Sequence, residues 1–186
     1  MSDEPRVPPL PPDRWEGDLK RILEATPAGI DRRLGDNNIF PTLAQHPEFF
    51  RAWLPFGGFL LTAGKLPGRD RELLILRTAV NCQSSYEWGQ HVRISLDGGI
   101  EREAIDRVLD GPDADGWTPH EAALLRAADE LREDMRISDD TWGTLAETYD
   151  TEQMIEATMV VGHYTMLAGA LNSFGVELDE GLEPLP

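Results

Sequence analysis

The sequence is poor in cysteine and in basic residues. Its 186 residues include one cysteine, Cys82, so no disulfide can form within the chain. Seventeen lysines and arginines stand against 34 aspartates and glutamates, which gives a net charge of −17. Because nucleic-acid backbones and anionic membranes attract a basic face, this balance argues against either as a partner.

The sequence also lacks a long apolar run. Its most apolar stretch, Met154 to Leu171, carries Glu156 and His163 and reaches only the lower length limit for a membrane span. We interpret this stretch as a buried core helix. The chain begins with polar and acidic residues that no apolar segment follows, which is not the pattern of a secretory signal peptide. We therefore expect a cytoplasmic protein.

Apolar residues recur at helical spacing from end to end, and alternation with period two never lasts more than a few residues. This pattern predicts an all-α fold in one domain over residues 1–186, with a proline-rich leader over residues 1–12. Asp70 to Ile75 resembles Thr151 to Glu156, and each stretch opens a long apolar helix. The match indicates two related helical halves, although two unrelated helices could share it by chance.

Several helix boundaries can be placed from capping and breaking residues. Asp13 is expected to cap the first helix, and Asp31 to Asn38 has the polar composition of a loop. Pro55 should kink or break the helix that Pro47 begins. Further helices are predicted to begin at Pro67, at Ser84 or Ser85, at Ile100, at the capping box of Thr118 and Glu121, at Ser138 and at Thr151, the last running to about Leu171.

The residues that could carry chemistry lie between positions 72 and 91. Ser84, Glu87 and His91 fall on one face of a predicted helix, so that Glu87 can fix the tautomer of the His91 imidazole. Glu72 sits at the margin of an apolar run, where partial burial would raise the pKa of its carboxyl. The alternative is structural: Glu-x-x-x-His is a common surface pair, and a glutamate at a helix start is usually a dipole partner.

These positions also fit a family pattern of a glutamate, eleven residues, a Cys-x-x-Cys pair, three residues and a histidine. Glu72 and His91 occupy the ends without a gap, while Ser84 and Glu87 stand at the two cysteine positions. With Gly162-His163-Tyr164 as a further matching stretch, the sequence resembles the carboxymuconolactone decarboxylase family, which shares its fold with alkylhydroperoxidase D-like (AhpD-like) proteins. The resemblance runs from about Pro8 to Leu178.

The resemblance implies an AhpD-like helical bundle and an enzyme that acts without a cofactor. The family reaction removes carbon dioxide from a carboxylated unsaturated lactone in the breakdown of aromatic compounds, and the same groups would serve an isomerisation or a cyclisation. His91, polarised by Glu87, is the candidate acid, and Glu72 is the candidate second proton carrier. We expect one of the two carboxyls to hold a proton at neutral pH, or His91 to be cationic between them.

The substrate is expected to lie in a cavity beside these residues. Ser84, Tyr86 and Arg77 are candidate donors to an anionic substrate, Trp88 would help to close the cavity, and His163 would line it if the last helix packs nearby. A metal held by Glu72, Glu87 and His91 ranks below an organic pocket, because the family is not known for using one. His46 and His120 are interpreted as structural.

Two other functions stay open at this point. An AhpD-like peroxidase or disulfide reductase needs two thiols that cycle through a disulfide. Because the sequence has one cysteine, this activity is excluded within one chain. Cys82 is expected to be buried and inert. A member that keeps the fold without catalysis is the second alternative. Helical hairpins of this superfamily complete their burial through neighbouring chains, so we expect a homo-oligomer, a trimer or hexamer, with a dimer also conceivable.

Overall fold

The computed structural model describes residues 4–26 and 32–186. Within these two ranges the regular structure is entirely helical, which confirms the all-α prediction. The α-helices are α1 (Gly17–Leu23), α2 (Ile39–Leu43), α3 (Pro47–Thr62), α4 (Gly68–Asn81), α5 (Ser85–Asp97), α6 (Arg102–Arg107), α7 (Pro119–Glu133), α8 (Asp139–Ala146) and α9 (Thr151–Phe174). None of them has the length and apolarity to cross a membrane, as far as the described ranges reach.

Helix α4 is the centre of the molecule. It packs against α5, α7 and α9. Its residues 73–76 are fully buried, although four successive residues point all around a helix. A helical turn that is apolar on every side must be surrounded by other elements, and this one is. The two stretches with the weak internal similarity therefore lie on helices that touch, while their relation as halves of a repeat stays a prediction.

Most of the predicted helix starts coincide with the observed ones. The Thr118 side chain accepts from the N–H of Glu121 while Glu121 accepts from the N–H of Thr118, which forms the predicted capping box of α7. Ser138 caps α8, and α9 begins at Thr151. Since these signals satisfy N–H groups that a helix leaves free, they act locally and can be read from the sequence.

Three local predictions need correction or lie outside the described ranges. Asp13 does not cap an α-helix, because it lies inside a short 3-10 turn and α1 begins only at Gly17. Of the kink or break expected at Pro55, the break does not occur, because α3 continues through the proline. Proline has no N–H group to donate to the carbonyl of Arg51. Because Arg51 is exposed, water can solvate that carbonyl instead. The loop predicted at Asp31 to Asn38 contains a 3-10 turn over Leu34–Asp36, and Asp31 itself is not among the described residues.

Both terminal segments lie against the bundle. In the proline-rich leader, Leu10 is buried, and its N–H donates to the carbonyl of Pro41 over 3.0 Å. In the C-terminal segment, Asp179 accepts from the N–H of Asn38 at 2.8 Å. A side chain at Gly89 of α5 would come within 2.8 Å of the carbonyl oxygen of Glu183, so this glycine lets the segment pack closely on the helix.

Candidate active site

The hairpin of α4 and α5 brings Glu72 and His91 together. The turn between the two helices is tight because Gln83 adopts a left-handed conformation, with φ of 52°. The packed helices then place His91 Nδ1 2.7 Å from Glu72 Oε2. Glu72 is 2% exposed and His91 5% exposed, so the pair is shielded from bulk water.

Arg71 binds the other oxygen of the Glu72 carboxyl. Its Nε donates to Glu72 Oε1 over 3.0 Å. Burial alone would raise the pKa of Glu72, but the neighbouring His91 and Arg71 outweigh it and hold the pKa below its ordinary value. This corrects the expectation of a raised pKa. An ionised carboxylate can only accept, so Nδ1 of His91 carries a proton and Nε2 is the nitrogen left for a reaction.

Glu87 is placed differently from the prediction. Its carboxyl is 2% exposed, and neither oxygen has a hydrogen-bond partner among the described residues. The predicted polarisation of His91 by Glu87 is therefore wrong, and Glu72 takes that place. Burial raises the pKa of Glu87 well above 4.5. Glu87 thus favours its neutral form because it is desolvated, without the neighbouring carboxylate that we expected to cause this.

Ser84 is buried at the start of α5. It occupies the N-cap position, but its side chain makes no capping hydrogen bond. Its residue exposure is 0%, and its Oγ has no partner in the described part of the chain. The hydroxyl therefore keeps a free donor and acceptor next to the first turn of the helix.

Aromatic rings from α9 and α3 adjoin the pair. Tyr164 contacts His91 edge to face with centroids 4.9 Å apart, and it contacts His163 in the same way at 5.2 Å. His163 stacks on Trp53 at 6.0 Å and meets the edge of Phe56 at 5.2 Å. Burial lowers the pKa of His163 to about 4, so this ring is neutral at physiological pH. His163 thus belongs to the surroundings of His91 through Tyr164.

Two of the candidate substrate donors point elsewhere. Arg77 donates from Nε and Nη2 to Asp129 over 2.6 and 2.9 Å, and from Nη1 to a backbone carbonyl of the α6–α7 region. The Tyr86 hydroxyl donates to Asp179 over 3.0 Å and accepts from the N–H of Ile39. Both side chains hold the fold together, which corrects their interpretation as substrate ligands.

Trp88 is 1% exposed and is part of the core. Two open grooves lie apart from the pair. One is lined by residues of α7 and α8 with Met135 between them, and the other by residues of α6 and Ala114 and Asp115. Among the described residues, no group of three or more histidine, cysteine, aspartate and glutamate side chains is arranged to hold a metal ion.

Sequence reasoning missed two contributors to this site. Arg71 adjoins Glu72 in the chain, and its charge next to an apolar run was the available signal. Tyr164 lies in the stretch Gly162-His163-Tyr164, which drew notice only for its histidine. A ring between the two histidines cannot be inferred from sequence, because the packing of α9 on α5 is a tertiary contact.

The chain has the fold of several solved structures. An uncharacterized peroxidase-related protein from Ralstonia eutropha JMP134, described as an alkylhydroperoxidase AhpD core, is 22% identical with a TM-score of 0.80, and the match covers 95% of this chain and 93% of that one. The debrominase Bmp8, as a variant in complex with 2,3,4-tribromopyrrole, is 14% identical with a TM-score of 0.79 over 97% and 95% of the two chains.

A peroxidase-related protein from Silicibacter sp. TM1040 is 13% identical, with a TM-score of 0.79 over 98% of this chain and 93% of that one. At these identities the likeness shows the fold. No curated protein matches the sequence. Residues 47–130 match the model of the carboxymuconolactone decarboxylase family, and this stretch contains Glu72, Ser84, Glu87 and His91. The chain therefore has the AhpD-like fold of these structures, and its residues 47–130 are similar to the carboxymuconolactone decarboxylase family.

Proposed function

We propose that this protein is a cofactor-independent lyase of the carboxymuconolactone decarboxylase type, which acts by proton transfer on an unsaturated lactone or a related small organic acid. The observation that carries the proposal is the 2.7 Å contact between His91 Nδ1 and the buried carboxylate of Glu72. This contact fixes the tautomer and the orientation of the imidazole, which is what a general acid or base requires.

The reaction needs little beyond a positioned proton. The bond between the ring carbon and the departing carboxylate breaks, carbon dioxide leaves, and the electron pair spreads into the conjugated lactone as an enolate. The protonated His91 then gives the Nε2 proton to carbon and is protonated again from solvent. In this assignment Glu72 is a positioning residue, because it acts through His91 and stays ionised.

Glu87 is the second candidate acid of this proposal. A neutral carboxyl that makes no internal hydrogen bond can donate one to an enolate oxygen, and donors of this kind stabilise developing negative charge in a dry site. The raised pKa of Glu87 supports this role, since an ionised carboxylate would repel the enolate. The same residues would serve an isomerisation, in which Nε2 removes a proton from one carbon and another carbon receives it.

A thiol reaction has less support. Cys82 is the only cysteine of the sequence, it is partly buried, and burial raises the pKa of its thiol. A raised pKa lowers the fraction of thiolate, which is the nucleophilic form of a cysteine. The peroxidase-related and debrominase proteins therefore share only the fold with this chain, and we do not transfer their reactions to it.

The proposal is tested by turnover with carboxymuconolactone and related unsaturated lactone acids. We expect release of carbon dioxide and incorporation of one deuteron at carbon in D2O. His91→Gln should lose turnover, while His46→Gln, which changes an exposed histidine at the start of α3, should keep it. No turnover of any of these acids by the wild type, or full activity of His91→Gln, would contradict the proposal.

We also propose that the protein is a homo-oligomer whose copies meet at an exposed apolar face of α3 and α9. On α9 this face contains Ile155, Met159 and Met166, which are 46–58% exposed. On α3 it contains Phe56 and Phe59, which are 42% and 47% exposed. The two helices adjoin here, because the Phe56 ring contacts His163.

A second copy of this chain suits that face better than a charged partner. Ile155, Met159, Gly162, Met166 and Gly169 follow one another at alternating spacings of four and three residues, which is the repeat of a helix–helix seam. None of these residues is charged. In a chain with a net charge of −17, an uncharged face is where two copies can approach with the least repulsion. A trimer or hexamer is our expectation, and a dimer would use the same face.

A further inference from the structure

The first turn of α5 contains polar atoms that the fold leaves unused. Ser84 is at the N-cap and Glu87 is the third helical residue, and both are buried to 98% or more. The Ser84 hydroxyl and both carboxyl oxygens of Glu87 lack a hydrogen-bond partner within the described residues. A buried polar group without a partner costs on the order of 1–3 kcal/mol, so a fold rarely keeps two of them side by side without a use.

The position of these groups favours an anion as their partner. Helix α5 has 13 residues, and its first-turn N–H groups receive no side-chain cap. The N-terminus of a helix of this length carries a partial positive charge and free N–H donors. Ser84 and Glu87 are three residues apart and therefore face the same side of that turn. A hydroxyl and a neutral carboxyl each add one further donor to those of the backbone.

We propose that the N-terminus of α5, with Ser84, binds a carboxylate group of the substrate, while the single proton of Glu87 serves the enolate oxygen beside it. This inference rests on the proposed function for the identity of the ligand as an unsaturated acid, while the subsite itself rests on the unpartnered atoms. The carboxylate bound here is one that the substrate keeps. Donors that stabilise a carboxylate oppose its departure as carbon dioxide, so the group that leaves must lie nearer to His91.

The spacing along α5 agrees with this arrangement. Seven residues separate Ser84 from His91, which corresponds to about 10 Å along a helix. Glu87 lies between them on the same stripe. A five-membered unsaturated ring with a short acid arm spans most of this distance. Such a ligand can place its carboxylate at Ser84 and its ring next to Nε2 of His91.

The experiment is equilibrium binding of a matched pair of probes by titration calorimetry. The probes are 2-furanacetate, a five-membered ring with an acid arm, and its neutral amide, 2-furanacetamide. We expect the wild type to bind the acid at least tenfold more tightly than the amide. Ser84→Ala should lose at least tenfold in affinity for the acid and little for the amide, and Ser85→Ala, the adjacent and partly exposed serine, should stay within twofold of the wild type.

The outcomes separate this proposal from the proposed function. His91→Gln should bind 2-furanacetate within about threefold of the wild type, even though it loses turnover. Because the Ser84 hydroxyl makes no internal hydrogen bond, Ser84→Ala should unfold no earlier than the wild type in a thermal scan, so lost binding cannot be ascribed to misfolding. Equal affinity for acid and amide, no saturable binding of the acid, or unchanged binding by Ser84→Ala would each overturn the subsite and mean that the unpartnered atoms hold only ordered water.

Discussion

Nδ1 of His91 lies 2.7 Å from one oxygen of the Glu72 carboxylate, and the other oxygen of that carboxylate accepts from Arg71 at 3.0 Å. The three side chains form a line from the partly exposed guanidinium to the buried imidazole. His91 and Arg71 together keep Glu72 ionised, and Glu72 keeps the proton of His91 on Nδ1. The reactive nitrogen of His91 is thus selected by a residue 19 positions earlier in the chain.

Glu72→Gln tests this arrangement. An amide can donate to Nδ1 and so favours the neutral tautomer with its proton on Nε2, in which Nδ1 cannot take up the second proton that makes His91 an acid. We expect kcat to fall by about 10²- to 10⁴-fold with little change in KM, in the range that misplaced tautomers cost other acid–base sites. Nitrogen NMR of the imidazole should show the proton on Nδ1 in the wild type and on Nε2 in the variant. An unchanged tautomer with the same loss of kcat would contradict the positioning role.

Replacement of Glu87 should stabilise the fold. Its carboxyl is buried and has no partner in the described residues, so Glu87→Leu removes a polar group that gains nothing from folding. We expect Glu87→Leu to raise the free energy of unfolding by on the order of 1 kcal/mol and to lose turnover. Urea denaturation measures the first effect. A variant that is markedly less stable would indicate that Glu87 has a structural partner instead of a functional role.

Glu87 also determines a pH dependence of stability. Its folded-state pKa lies well above the ordinary 4.5, so the folded protein binds a proton that the unfolded chain has released. The stabilising contribution is therefore complete below about pH 4.5 and is lost as the pH rises through the folded-state pKa. Glu87→Gln lacks this titration. We expect the wild type to lose stability relative to Glu87→Gln as the pH rises, and parallel curves would contradict the raised pKa.

Arg77 should behave as a structural residue. It makes two hydrogen bonds with Asp129, and both side chains are mostly buried. Arg77→Leu leaves that carboxylate without its ion pair, which should cost roughly 3 kcal/mol of unfolding free energy. The KM of the remaining folded enzyme should not change. Arg102→Leu, which breaks exposed ion pairs with Asp106 and Glu183, is the control and should cost about 1 kcal/mol or less.

A charge on the apolar face should separate the copies of an oligomer. Met159 is 46% exposed on α9, and Met159→Glu places a carboxylate in the proposed contact. We expect its molecular mass by light scattering to fall to that of a monomer, since a buried unpaired charge opposes association. Met135→Glu is the control, because Met135 is 82% exposed and lies between α7 and α8. A wild type that is already monomeric at micromolar concentration would rule out the oligomer.

The sequence by itself determined the features that depend on neighbouring residues. The helix starts at Thr118, Ser138 and Thr151 follow from the side chains of Thr118, Ser138 and Asp150, each of which accepts from an N–H group three positions away. The shared face of Ser84, Glu87 and His91 follows from helical periodicity. Asp13 and Pro55 show the limit of such signals. Asp13 lies inside a 3-10 turn instead of capping an α-helix, and α3 continues through Pro55, because the preference of one residue is outweighed when other contacts satisfy the backbone.

Tertiary structure decided which groups meet. Both Glu72 and Glu87 were candidates to contact His91, and only the packing of α4 against α5 made Glu72 the partner and left Glu87 unpartnered. The packing of α7 on α4 placed Asp129 beside Arg77, and the C-terminal segment placed Asp179 beside Tyr86. Packing also reversed the expected shift in the pKa of Glu72, because a pKa depends on the distance to charges as well as on burial. The distance from Glu72 to His91 is fixed only when α4 and α5 pack against each other.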